Sequence, residues 1–212
     1  PVDLEILKDT THPRVLNLSA PNGPYNDAIT SYYHRSVGGY HPAKLSIYDD
    51  LLSYQLNKQP LNKQVLDMLN TKYVEVPNQQ NGQPMLQVNP DALGQAWFVK
   101  HIQYVKGQGA AMKALDHFTP KDTAIVEESF KKDIPFEPVA DSAAAVRLVK
   151  NDNDEITYQS TSKTNQFAVF SEIFYDRGWK AYIDDKEAPI VQTNYVLRGL
   201  AIPAGNHQVR FE

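Results

Sequence analysis

The strongest constraint on this chain lies near its C-terminus. From Val146 to Phe211, short apolar-rich runs follow one another with no helical periodicity among them, each broken by a cluster of turn residues. "VRLVKN" runs into "NDND", and "EITYQSTS" sets Ile156, Tyr158 and Ser160 against polar neighbours. "QFAVFSEIFY" is apolar on both faces, as a central strand must be. "WKAYI" is expected to meet "EAPIV" across Asp184-Asp185-Lys186, and "YVLRGLAIP" to meet "HQVRFE" across Ala204-Gly205-Asn206. In the last run Val209 and Phe211 face inward, while Gln208, Arg210 and Glu212 face out. The pattern predicts an antiparallel β-sandwich, with Trp179 as a core anchor.

The preceding residues mix two periodicities. "RVLNLS" reads as a strand. "HPAKLSIYDDLLSYQLNKQP" reads as a helix with Pro42 in its first turn, an apolar stripe of Leu45, Tyr48, Leu52 and Leu56, and a stop at Pro60. A second helix spans Asn62 to Leu69. Short strands follow at Lys72–Val76, Met85–Val88 and Ala96–Lys100, then a helix at Gly107–His117 and a strand at Thr123–Val126. Composition shifts at "KKDIPFEPVADSAAA", where Pro135 and Pro138 bar a helix. The boundary is expected at 138–142, giving an α+β chain: a mixed α/β subdomain over 1–140, then the sandwich over 141–212.

Composition excludes several functions. Lys and Arg are dispersed and net charge is −4, so nothing favours nucleic acid as a partner. The absence of cysteine removes disulfides, thiolate metal sites and a cysteine nucleophile. Apolar runs such as Ala96–Val99 reach four residues, far from the ~20 of a membrane helix. The chain opens on Pro1 and stops inside an alternating pattern, and is expected to be a piece of a longer protein.

No motif announces catalysis. The six histidines lack metal-binding spacing, and no metal or other cofactor is expected. Asp49-Asp50, Asp152/Asp154 and Asp184-Asp185 could be paired carboxylates, but "DNDE" lacks the glycine and distal glutamate of a calcium loop. The last two pairs read as turns and the first as the solvent face of a helix. "VKGQGAAMKAL" lacks the third glycine and the Lys-Ser/Thr of phosphate loops, and no nucleophile elbow occurs. No catalytic residue is assigned. The remaining signal is aromatic: "YNDAITSYYHRSVGGYHPAK" is long, polar and rich in tyrosine. Tyr32, Tyr33, His34, Tyr40 and His41 could stack on sugar rings, or cover the edge of a core around a Gly38-Gly39 turn.

"GWKAYIDDKEAPIVQTNYVLRGLAIPAGNHQVRFE" resembles the C-terminal region of the YfhO family of bacterial polytopic membrane proteins. The resemblance rests on Gly178, Trp179, Asp184, Asn194, Arg198, Pro203, Ala204, Gly205 and His207. "SVGGYHPAKLSIYDDLL" and "LDMLNTKYV" share the family's style, while Pro77–Lys121 fits loosely. Asp185 stands where the family usually has glycine, so a different turn type is expected there. The resemblance implies a non-catalytic extracytoplasmic region of a protein similar to membrane glycosyltransferases that use a polyprenyl-phosphate sugar. Its expected partners are the membrane-spanning part of the same polypeptide and a cell-surface glycan or polymer. It adds Trp179, Asn194 and Arg198 to the candidate ligand-binding residues. The competing expectation is a purely structural or protein-interaction domain.

Overall fold

A computed structural model describes residues 2–38 and 45–212. Pro42, Tyr40 and His41, to which the sequence assigned a helix start and two ligand contacts, lie outside the described residues. The chain divides into two compact units, Pro1–Gly94 and Gln95–Glu212.

In the first unit, α1 (Val2–Ile6) precedes β1 (Arg14–Asn17), α2 (Ile29–Tyr33) and β2 (Arg35–Ser36). Then α3 (Ser46–Leu51) continues into a π-helical turn at Leu52–Leu56, followed by α4 (Lys63–Met68), β3 (Thr71–Pro77) and β4 (Pro84–Val88). The sheet order is β2-β1-β3-β4, with β1 parallel to both β2 and β3 and β4 antiparallel to β3. Parallel pairing requires the crossovers that the helices supply. Asn62 caps α4 by accepting the Val65 N–H. At its far end, Asn70 takes φ 55°, which turns the chain sharply enough for its carbonyl to accept the Arg14 N–H at 2.9 Å. The core holds Val15, Leu16, Leu51, Leu56, Val65, Met68 and Leu69, all without exposure. Of the expected stripe on the first helix, Leu52 and Leu56 are buried and Tyr48 is half-buried with its hydroxyl donating to the Val37 carbonyl, whereas Leu45 is exposed.

The second unit begins with β5 (Ala96–Val99), β6 (His101–Val105), α5 (Gln108–Ala114) and β7 (Thr123–Glu127), then a 3-10 helix at Glu128–Asp133. Eight strands follow: β8 (Ala145–Asn151), β9 (Ile156–Ser162), β10 (Gln166–Ile173), β11 (Ala181–Ile183), β12 (Lys186–Ala188), β13 (Val191–Thr193), β14 (Leu197–Ile202) and β15 (Gly205–Phe211). They form a six-stranded sheet, β5-β10-β14-β13-β7-β6, and a five-stranded sheet, β12-β11-β15-β9-β8. One buried cluster draws on both: Ile156, Tyr158, Val209 and Phe211 from one sheet, Ala168, Phe170, Leu200 and Ile202 from the other. Tyr158, Phe170 and Phe211 meet edge-to-face, with centroids 4.8 to 6.1 Å apart.

Three features differ from the sequence expectation. The proline-rich stretch at 135–145 is a connector inside the second unit, because strands before it (β5, β7) hydrogen-bond with strands after it (β10, β13). Proline and small residues mark irregular backbone, and irregular backbone occurs within units as well as between them. The six-stranded sheet therefore also takes in β6 and β7, which are parallel and joined through α5, while the pairings among β8 to β15 are antiparallel as expected. Finally, β14 and β15 do not pair. β14 lies between β10 and β13, whereas β15 lies between β9 and β11, so Pro203–Ala204 carries the chain from one sheet to the other.

The Asp184-Asp185 hairpin joins β11 and β12 as expected, with Ile183 opposite Lys186. Both aspartates have positive φ, 49° and 64°. That is the type I′ pattern, so the turn keeps the geometry a glycine would give at Asp185.

Candidate functional site

The aromatic run falls on α2 and the residues that end it. Residue His34 is extended, with φ −139° and ψ 161°, and its N–H closes the last helical turn on the Thr30 carbonyl. Thr30 faces the interior. A helix so short has one inward side, and the rest of its side chains face solvent: Tyr32 is 82% exposed and Tyr33 53%. Their rings meet edge-to-face at 4.9 Å. They border an open concavity of about 570 Å³, lined by Arg14, Ser31, Tyr32, Tyr33, His34, Arg35 and Ser36. Its polar lining is rich in hydrogen-bond donors: two guanidinium groups, four hydroxyls from two serines and two tyrosines, and an imidazole.

His34 is held from behind. Its side chain is 3% exposed, and Nε2 lies 2.7 Å from Asp3 Oδ1 on α1. Glu75 on β3 is also buried, and burial pushes its carboxyl above the usual carboxylate range. The negative charge of Asp3 acts in the same direction, and His34 opposes it. Arg14 is anchored by an Nη1–H bond to the Leu69 carbonyl at 2.7 Å. The concavity thus has a hydrogen-bonded floor and an exposed aromatic lip. Sequence reasoning missed Asp3 and Arg14 because they are remote along the chain. Arg35 and Ser36 directly follow His34 and were within reach of it.

The other candidates lie in the second unit. Arg198 is 3% exposed, with its guanidinium 4.3 Å from the Trp179 ring centroid and 5.3 Å from that of Phe211. Its Nε–H donates to the Ile173 carbonyl at 3.0 Å. Trp179 packs against the core cluster but is only half-buried, so it covers the edge of the core and is not the buried anchor expected. Asn194 is fully buried: Oδ1 accepts the Ile125 N–H and its own N–H donates to the Ile125 carbonyl, each at 2.8 Å. These contacts bind the β13–β14 loop to β7. Tyr32, Tyr33 and His34 are therefore brought together, while Trp179 and Arg198 form a separate stacked pair and Asn194 is a buried strut.

The acid pairs are parts of regular elements. Asp49 and Asp50 lie on α3. Asp152 lies in the β8–β9 turn, where its N–H donates to the Glu155 carbonyl and Lys150 pairs with both side chains at 2.9 and 3.0 Å. Among the described residues, no group of three or more His, Cys, Asp or Glu is arranged to hold a metal ion. Gly107, φ 82°, starts α5 as the glycine-rich turn suggested.

The model of a family described as bacterial membrane protein YfhO matches residues 135–212. That stretch spans β8 to β15 and the connector before them, and leaves out β5, β6 and β7 of the same sheet. The stretches Ser36–Leu52 and Leu66–Val74 lie outside the match. No curated protein and no solved structure matches the chain. Among the described residues, no helix is long and apolar enough to cross a membrane.

Proposed function

We propose that the chain is a non-catalytic, extracytoplasmic region of a YfhO-like bacterial membrane protein that positions a cell-surface glycan or polymer acceptor, a reading supported by the match of that family's model to residues 135–212. The two sheets of the second unit act as a β-sandwich scaffold in this reading, and the first unit carries the ligand surface. The observation behind it is the exposed Tyr32–Tyr33 pair beside the donor-rich concavity. Sugar rings present C–H faces that stack on exposed aromatics and hydroxyls that accept from Arg, Ser and His. The glycosyltransferase-like character of the whole protein is part of the same proposal.

Glycan-array binding of the 212-residue chain tests it. Tyr32→Ala and Tyr33→Ala are expected to weaken binding by at least about tenfold each, the cost of losing an aromatic contact at the centre of an interface. The absence of any bound glycan, or binding indifferent to both variants, would sink the proposal.

A second reading has its own observation. Asp184, Asn194, Arg198 and His207, which carry much of the family resemblance, are each engaged by neighbours within the fold. On that reading the family pattern preserves a structural domain, and neither tyrosine variant changes any binding.

A further inference from the structure

Helices of water-exposed proteins normally turn their apolar stripe inward. In the first unit, α1 and α2 each carry a second stripe that faces out. On α1 the buried residue is Ile6, yet Leu4 is 66% exposed and Leu7 58%, three residues apart on one side; the Leu7 N–H still bonds the Asp3 carbonyl at 2.9 Å, so the helical spacing holds. On α2 the buried residue is Thr30, yet Ile29 is 60% exposed, with Tyr32 and Tyr33 three and four residues on. The Asp3–His34 bond ties the two helices together, so the stripes belong to neighbouring elements. Three large aliphatic side chains left in water on two tethered short helices call for a cover.

We infer that this face of the first unit rests on a lipid bilayer, with Leu4, Leu7 and Ile29 entering the acyl boundary and the tyrosines at head-group level. The family described for residues 135–212 is one of membrane proteins, which puts a bilayer within reach of the chain. The side-chain chemistry fits that occupant: aliphatic groups enter the outer hydrocarbon, while tyrosine rings with polar tips are enriched at the membrane–water interface. The inference rests on the family and not on glycan binding. A glycan held by Tyr32 and Tyr33 would then sit at the membrane surface.

Co-sedimentation of the 212-residue chain with phosphatidylethanolamine–phosphatidylglycerol vesicles tests it. The chain is expected to pellet with vesicles. Leu4→Ser/Leu7→Ser/Ile29→Ser is expected to lose at least about a hundredfold in partitioning, given the transfer free energy of three aliphatic side chains. The single variant Leu4→Ser, at a site too exposed to unfold the chain, loses about tenfold. Val149→Ser, equally exposed in the second unit, changes nothing. The inference is overturned by a wild-type chain that stays in the supernatant, by serine variants that bind as wild type does, or by Val149→Ser losing as much. It is also overturned if sedimentation velocity shows a dimer that the triple variant dissolves and no vesicle binding, since a second copy then covers the face. Tyr32→Ala separates the two readings: it weakens glycan binding at least about tenfold under the first and leaves most of the vesicle binding under the second.

Discussion

His207 Nδ1 lies 2.6 Å from Asp184 Oδ2, and the other oxygen of that carboxylate accepts the Gln208 N–H at 2.9 Å. The imidazole Nε2 faces the Ala204 carbonyl at 3.2 Å. A single histidine thus joins the β11–β12 turn to the corner where the chain changes sheets.

This pair makes stability depend on pH in a defined direction. The hydrogen bond with Asp184 raises the His207 pKa above its ordinary 6.5, and the bond from His207 lowers that of Asp184 below its ordinary 3.8. A raised histidine stabilises the fold fully below its unfolded pKa and loses that contribution as pH rises through the folded value. A lowered aspartate contributes above its unfolded pKa and loses it as pH falls through the folded one. The pair is therefore worth most between about pH 4 and 6.5. Its carboxylate is half exposed, so the contribution is at most about 1 kcal/mol. Thermal melts at pH 5.5 and 8.5 are expected to show a larger drop for the wild type than for His207→Gln. Equal drops would remove the pair from the stability of the fold.

Gly205 has φ +138°, and a Cβ there would lie 2.7 Å from His207 Nε2. Gly205→Ala is expected to cost roughly 1–3 kcal/mol by strain at that φ. It also displaces the imidazole, so the variant should lose the pH dependence described for His207→Gln. Urea unfolding of the two single variants and the double variant checks this: additive effects would show that the glycine acts independently of the histidine.

Asp185 occupies a left-handed conformation that glycine adopts without cost, and its side chain pairs with Arg210 at 3.4 Å on an exposed surface. Asp185→Gly is expected to stabilise the second unit by several tenths to about 1 kcal/mol. A lower denaturation midpoint would mean that the contact with Arg210 outweighs the backbone strain.

Arg198 combines stacking on Trp179 with an Nε–H bond to Ile173. Arg198→Ala is expected to destabilise by about 2–4 kcal/mol, and Arg198→Lys to recover little, because an ammonium group supplies neither the planar stack nor the Nε donor. If Arg198 served a ligand instead, chemical denaturation would be unchanged while binding fell.

The existence and rough limits of β8 to β11, β14 and β15 were legible in the sequence because alternation and turn residues are local properties, whereas "EAPIV", expected as one strand, is divided at Pro189 between β12 and β13, which lie in different sheets. Also legible was the inward face of β15, where Val209 and Phe211 are fully buried. The Asp184-Asp185 hairpin could be read for the same reason: two residues of one type, between two apolar runs, fix a turn. The family resemblance was equally local, and it drew on the residues that now prove to hold the second unit together. What α2 and its tyrosines lie beside was not legible, since the Asp3–His34 bond spans 31 residues and Arg14 reaches Leu69 across 55.

Sequence by itself determined where most strands of the C-terminal half fall and where the chain must bend. Only the tertiary structure decided which strands pair. Pro203-Ala204-Gly205-Asn206 suits a hairpin and an inter-sheet corner alike, because both require the same backbone freedom. The choice was made by burial: β14 is covered on both faces and pairs on both edges within the six-stranded sheet, which leaves no edge for β15. The proline-rich connector at 135–145 followed the same logic. Proline fixes local backbone, whereas the extent of a compact unit is set by hydrogen bonds between strands far apart in the chain.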